Sequence, residues 1–416
     1  MMCAGMLSRR SFLRTLAAPA ASFLSGYHLM AAPMKGKVKI RDIKTMILQG
    51  PRTYTLVKVE SDAGPFGIAD AYGSPGAGVR DQINAIRPYF IGKDPTQIDS
   101  LIVGLGPHSD GSAHHFMRAI AGIEMALWDL NGHLLGVPAS TLLGGRFRDK
   151  VRVYNHAAPR NMLDKGSVRA WADACRADPS GFRGHKFGPQ HTNPQNDPGR
   201  DLANRRLSTE ELRNIRIGFE NVREAIGWDH DIMVHNHWEY DARTSIQLAE
   251  AVADIKPLWL EDPMPVAYTD GWKALCAASR VPICTGENWF RRADAVPFVI
   301  NNGVDILNPD LRNTGGFLET KRLADLADAF AMSVANHNTG CVLNTMATIH
   351  WASTVRDYVH CETVIGKRDW MDDVIVHDGL VVKDGFIPVP DKPGIGVELN
   401  PDVVKAHLAA GEKWWG

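Results

Sequence analysis

From Val151 onward the chain repeats one pattern: a short apolar run ends abruptly in a polar or charged residue, and a segment of helical periodicity follows. The runs are VRVYNHA, GHKFG, DIMVHNH, PLWLEDP, VPICTGEN, VDILNPD, AMSVANH and YVHCE. Runs of this length, rich in Val, Ile, Leu and aromatics, read as strands buried on both faces. Between them, TSIQLAEAVADI and LETKRLADLADAF space their apolar residues as a helix does. Eight strands alternating with helices predict an α/β fold, a (β/α)8-type barrel in its (β/α)7β form. In that fold the chemistry sits where strands end. The polar side chains at those ends are Lys186, His235 with His237, Glu261, Glu287, Asp310, His337 and Glu362. From His235 on they fall 26, 26, 23, 27 and 25 residues apart, one strand–helix unit per step, so they point into one cup.

Residues 36–148 read as a separate α+β module. VKIRDIKTMIL, TYTLVKVES and GIADAYG are strand-like, and a long helical segment follows. There Ile123, Ala126, Leu127, Leu130 and Leu134 share one stripe, which Gly136 and Pro138 close. The barrel takes 149–370, and 371–416 returns to short strands and turns. One long irregular segment, Pro189 to Arg206, interrupts the barrel, and Ser208 with Glu211 forms a capping box that opens the next helix.

Ahead of all this, SRRSFLRTLAAPAASFLSG places Arg9 and Arg10 before a weakly apolar stretch, with small residues near Ala31 and Ala32. This reads as a twin-arginine export signal over residues 1–35 and implies a periplasmic or otherwise extracytoplasmic protein. Arg14 and Pro19 interrupt the apolar run, which falls short of the ~20 residues that a membrane span needs. The net charge of −1, with scattered Lys and Arg, gives no electrostatic basis for binding nucleic acid or an anionic membrane. The six cysteines contain no CxxC, and nothing in their spacing names a disulfide.

Two acids on successive strands, Glu261 and Glu287, with a third ligand one strand earlier, suit a hard divalent cation. Mg²⁺ is the first expectation; an imidazole third ligand, His235, tilts the site toward Mn²⁺, Fe²⁺ or Zn²⁺. Asp310 and His337 occupy consecutive strand ends, where the Asp fixes the His tautomer and raises its basicity. A base facing a cation suits removal of a proton next to a carboxylate, the charge of the resulting enediolate falling on the metal. Lys186 would neutralise the substrate carboxylate, and Glu362, if protonated, would donate to the same oxygens.

GIEMALWDLNGHLLGVPASTLLGG (Gly122 to Gly145), LEDP, TGEN, DILNPDLRNTGG (Asp305 to Gly316) and VANH together resemble the mandelate racemase-like branch of the enolase superfamily. The likeness runs from Lys37 to Trp415. It implies a cap domain built from both chain ends and closed over the barrel. It also implies Glu261 and Glu287 as metal ligands, Asp310 and His337 as the base dyad, Glu362 as the electrophilic carboxylate, and a homo-oligomer. Two positions depart from the pattern. The third-strand ligand, usually Asp, is here His235, with Asn236 beside it as the alternative. The second strand reads His185-Lys186-Phe187-Gly188, so Lys186 matches the first lysine of the racemase Lys-x-Lys and Gly188 replaces the second.

With no second lysine, His237 takes on weight. The acid-sugar dehydratases of this branch keep a general-acid histidine two residues after the metal ligand, and His237 has that spacing. The expectation is dehydration of a sugar acid to a 2-keto-3-deoxy acid. A racemase or epimerase using His237 as second base is the first alternative, and an exported sugar-acid-binding protein without chemistry the second. The substrate, a small carboxylate, would be chosen by cap loops at Gln49 to Thr53 and Ala71 to Pro75 and by the Pro189 to Arg206 loop.

Overall fold

The computed structural model describes residues 25–72, 78–106, 113–192, 204–366 and 369–415. The Arg9–Arg10 pair lies outside them, as do residues 73–75 of the second cap loop and 193–203 of the long loop. Strands β1 (Ile40–Gln49), β2 (Thr53–Ser61) and β3 (Phe66–Ala71) form an antiparallel meander in that order. Helix α1 (Val79–Phe90) and the long helix α2 (Ala113–Leu135) complete the cap. A Cβ on Gly67 would lie 2.1 Å from the Ala126 carbonyl oxygen, so this glycine is what lets β3 and α2 touch backbone to backbone. Burial of α2 exceeds the single stripe read from its sequence. Ala119 to Gly132 are buried on every face, because the helix is wedged between the cap sheet and the barrel. Its Glu124 carboxylate accepts from Trp128 Nε1 at 2.6 Å and from the backbone N–H groups of Phe317 and Leu318 at 2.8 and 3.0 Å, fastening cap to barrel.

The barrel strands fall where the apolar runs placed them: β4 (Lys150–Tyr154), β5 (Gly184–Phe187), β6 (Asp231–His235), β7 (Trp259–Glu261), β8 (Ile283–Thr285), β9 (Ile306–Leu307), β10 (Ser333–Asn336) and β11 (Tyr358–Glu362). Neighbours from β5 to β11 pair in parallel, and β11 returns to β4. The ring closes where Lys186 N donates to Asn155 O at 2.9 Å. Helices α3 (Lys165–Ala177), α4 (Thr209–Ile226), α5 (Ala242–Val252), α6 (Asp270–Ala278), α7 (Arg292–Ile300), α8 (Phe317–Ala329) and α9 (Val342–Ser353) connect the strands. The Ser208–Glu211 capping box at the start of α4 is present with both of its reciprocal hydrogen bonds. Inside the ring, Tyr154, Met233, Trp259, Cys284, Ile306 and Ala335 pack into a plug, so the barrel is a solid core with a floor beneath the cup.

The C-terminal segment divides its allegiance. Strand β12 (Phe386–Pro388) adds to the barrel sheet, antiparallel to β4. Further on, the chain returns to the cap: Gln49 N donates to His407 O at 2.8 Å, Ala409 N to Ile47 O at 2.9 Å, and Ile47 N to Glu412 Oε2 at 3.1 Å. At the other end residues 25–31 are helical. Tyr27 is buried there against Trp128, with its hydroxyl on Thr96 O at 2.7 Å. A cut near Ala31 would remove that contact. Among the described residues no helix is long and apolar enough to cross a membrane, and Cys175, Cys276, Cys284, Cys341 and Cys361 are free thiols.

Candidate active site

Alternation along each strand sets the cup's lining. Met233, Trp259 and Ala335 face the plug, so His235, Glu261 and His337, each two residues on, face the same way one layer higher. At β8 the alternation is broken. Gly286 takes φ +143°, a conformation open to glycine, and this turn delivers Glu287 to the cup three residues after Cys284.

The structure brings the expected ligands together. His235 Nε2 lies 3.7 Å from Glu261 Oε1 and 3.9 Å from Glu287 Oε2. A fourth group, unread in the sequence, joins them. Asp262 is buried at φ +47°, and ligand atoms of His235, Glu261, Asp262 and Glu287 lie within 4.8 Å of one another. The positive φ is why Asp262 escaped notice: strict alternation sends the residue after Glu261 away from the cup, and the left-handed turn sends it back. His235 Nε2, Asp262 Oδ2 and Glu287 Oε2 are buried without a hydrogen-bond partner. Burial first, then the charges of Lys186 and His237, push His235 well below the ordinary histidine range, so its ring is neutral and keeps a lone pair. Buried, partnerless oxygens beside a neutral imidazole nitrogen are a donor set that fits a divalent cation. Asn236 stays the alternative: its amide nitrogen is committed to the Glu261 carbonyl at 3.2 Å, while its Oδ1 is also buried without a partner.

Next to this cluster stands the dyad. His337 Nδ1 contacts Asp310 Oδ2 at 2.8 Å, and His337 Nε2 faces Glu287 Oε2 at 3.5 Å. Burial opposes the imidazolium, but Glu287, Glu362 and Asp310 outweigh it and raise His337 to about 9. Asp310 is held by Arg312, whose Nη2 and Nε donate at 2.7 and 3.1 Å while its backbone N–H donates at 2.8 Å. Arg312 itself is buried, with its guanidinium against the Tyr72 ring of the cap. Although burial favours a neutral acid, Arg312 and His337 together keep Asp310 far below the usual carboxylate range. Arg312→Met should therefore cost about 3–5 kcal/mol of stability in urea unfolding, the penalty of stranding a buried charge. It should also lower kcat with little change in KM.

Lys186 bridges Glu261 at 2.7 Å and Glu362 at 2.9 Å, and all three side chains are wholly buried. Burial alone would discharge the amine, but Glu261, Glu362 and Glu287 keep it charged. Glu362 is ringed by polar partners. Its Oε2 accepts from Lys186 and from Tyr154 Oη and Asn338 N at 3.2 Å each, while Oε1 meets His156 Nε2. Burial raises it, yet Lys186, His337 and His156 more than offset that and hold it well below the usual range. Oε2 is filled by three donors, and Oε1 shares a hydrogen with His156 Nε2. His237 sits exposed at the rim, its ring 4.2 Å from that of His235 and tilted by 61°. Strands β6 and β10 are four apart in the ring of eight, so the strands that lead to His237 and His337 stand on opposite sides of the cup.

Two regions of the chain match known domain families. Residues 39–144 match the mandelate racemase / muconate lactonizing enzyme N-terminal domain, and residues 169–403 match the enolase C-terminal domain-like family. The chain belongs to the mandelate racemase branch of the enolase superfamily. A D-xylonate dehydratase of Haloferax volcanii is 33% identical over 387 residues, covering 90% of each chain. A D-galactarolactone cycloisomerase of Agrobacterium fabrum is 27% identical, covering 85% of this chain and 90% of its own. Among solved structures, a mandelate racemase/muconate lactonizing enzyme-like protein from Rubrobacter xylanophilus superposes with a TM-score of 0.82 at 28% identity, covering 91% of this chain and 99% of that one. Superfamily members are enzymes that bind a divalent metal, and the His235–Glu261–Asp262–Glu287 cluster is a possible site for one in this member.

Proposed function

We propose that this enzyme is a hydro-lyase that removes water from a sugar acid, leaving a 2-keto-3-deoxy acid. His235, Glu261, Asp262 and Glu287 would hold a divalent cation, Mg²⁺ or, with an imidazole ligand, Mn²⁺, Fe²⁺ or Zn²⁺. When bound, that ion supplies positive charge for the substrate's carboxylate oxygens. His337 Nε2 takes the proton on the carbon next to the carboxylate, while Asp310, kept anionic by Arg312, holds Nδ1–H and balances the imidazolium that forms. The charge of Lys186, shared between Glu261 and Glu362, faces the developing dianion. The β-carbon–oxygen bond then breaks, the departing hydroxide takes a proton from His237 and leaves as water, and the enol tautomerises to the ketone.

The observation that carries this reading is at Gly188. A Cβ there would lie 2.2 Å from the His235 carbonyl oxygen and 2.2 Å from Gln190 Oε1. The position of the second racemase lysine thus has no room for any side chain, and only one base of the racemase pair remains. Gly188→Lys should accordingly fail to create racemase activity; it should disrupt the β5–β6 junction, seen as a lowered melting temperature. The Haloferax relative named for D-xylonate makes that acid the first to test.

The reading is tested by incubating D-xylonate and other sugar acids with the metal-loaded enzyme and assaying 2-keto-3-deoxy products. His237→Asn should still exchange the α-proton with deuterated solvent while losing water elimination by about 10²–10⁴-fold. If wild type instead washed deuterium into the α-carbon of an intact sugar acid without releasing water, the epimerase reading, with His237 as second base, would replace this one. The Arg9–Arg10 leader extends the proposal to export by the twin-arginine route, and the substrate would then be met outside the cytoplasm.

A further inference from the structure

We propose that His156 binds the substrate's carboxylate oxygens directly, as a donor through the Nδ1 edge of its ring. This rests on the dehydratase reading above. His156 lies two residues past Tyr154, a member of the barrel plug, so strand alternation aims it into the cup at the end of β4. Its Nε2 is spent on Glu362 Oε1, which leaves Nδ1 as the open edge. The ring stands edge-on to His235, with centroids 6.5 Å apart, so His156 borders the candidate cation cluster.

Accessibility decides between the groups that carry protons here. Lys186 and Glu362 have no exposed side-chain surface, whereas the His156 side chain is 34% exposed. Lys186 is fixed between two carboxylates, and Glu362 lies wholly buried beside it. A carboxylate entering from the mouth therefore meets His156 before it meets either of them. With Nε2 turned to Glu362, the ring presents Nδ1–H to the substrate. No bond is made or broken at His156; the hydrogen bond strengthens as negative charge gathers on the enediolate oxygens. Strand β4 stands four strands from β8, so this donor approaches the substrate from the side opposite Glu287.

The alternative is a purely positioning role, in which Nε2 holds Glu362 and Nδ1 does nothing. Two amides separate these roles, because Asn places its nitrogen near Nδ1 and Gln places its nitrogen near Nε2. With D-xylonate as substrate and D-xylonohydroxamate, a planar dianion mimic, as inhibitor, His156→Asn should keep kcat and inhibitor affinity within about tenfold of wild type. His156→Gln should lose about 10²-fold or more in both. His156→Ala should lose as much as Gln and recover on addition of imidazole, a readout available even if one amide variant folds poorly. Gln equalling or exceeding Asn, or neither departing from wild type, would overturn the proposal while leaving dehydration standing. A wild type that forms no keto product from any sugar acid would instead remove the dehydratase reading, and this proposal with it.

Discussion

His337→Asn should abolish turnover, by about 10³–10⁴-fold in kcat, and with it all exchange of the substrate's α-proton. Asparagine can still reach Asp310, so the buried carboxylate keeps a partner and the fold is preserved. What disappears is Nε2, the ring atom that faces Glu287 at 3.5 Å and would carry the substrate's proton. His337 is joined to Asp310 at 2.8 Å on its other edge, and Asp310 is gripped by Arg312, so the ring has one orientation and turns only Nε2 to the cup. Proton NMR in deuterated solvent reads the exchange directly and separates it from loss of water. Exchange that survived in the variant would mean that another group removes the proton, and the dyad assignment would fall.

Glu287→Gln should erase the stabilisation that a divalent cation gives the wild type. A ligand bound only by the folded state and present at a hundredfold excess over its Kd adds about 2.7 kcal/mol. Metal-free, the order should reverse. Glu261, Asp262 and Glu287 crowd three carboxyls into one buried cluster, and neutralising one relieves their repulsion, so the variant should melt at or above the metal-free wild type. Thermal melts with and without Mg²⁺ and Mn²⁺ test both halves. A variant that kept the full metal-dependent rise would place the cation elsewhere.

Much of this was legible because barrels impose a rule on sequence: apolar strand, polar end, helix, repeat. The rule located His235, Glu261, His337 and Glu362 from alternation alone, and the structure brings them within one cup with Lys186 and Asp310. It failed where the backbone departs from regular geometry or where a residue's partner is distant in sequence. Asp262 is turned toward the cup by a positive φ that no pattern announces. Arg312, two residues past Asp310, is a buried clamp, a fact set by the cap residues that enclose it. His156 lies two residues past the end of the first barrel strand, on the alternation of Tyr154, and that alternation would have found it; the list of strand ends began only at Lys186. The partners of Glu362 come from separate strands and loops, which no local reading assembles. Gly188 illustrates the converse. Its sequence shows a missing lysine, and only the packing shows that a lysine has nowhere to go.

The cap sheet is tied to a distant part of the sequence. Glu412 reaches back to Ile47 across 365 positions. A contact of such separation forms late. During synthesis the strands and helices of the barrel emerge and pair in order, yet the Ile47–Glu412 seam of the cap has no second side until residue 412 has emerged. The newly made protein should thus pass through a stage with a formed barrel and an open, solvent-filled mouth. A protease pulse applied during refolding should cut the β1–β3 meander long after the barrel has become resistant.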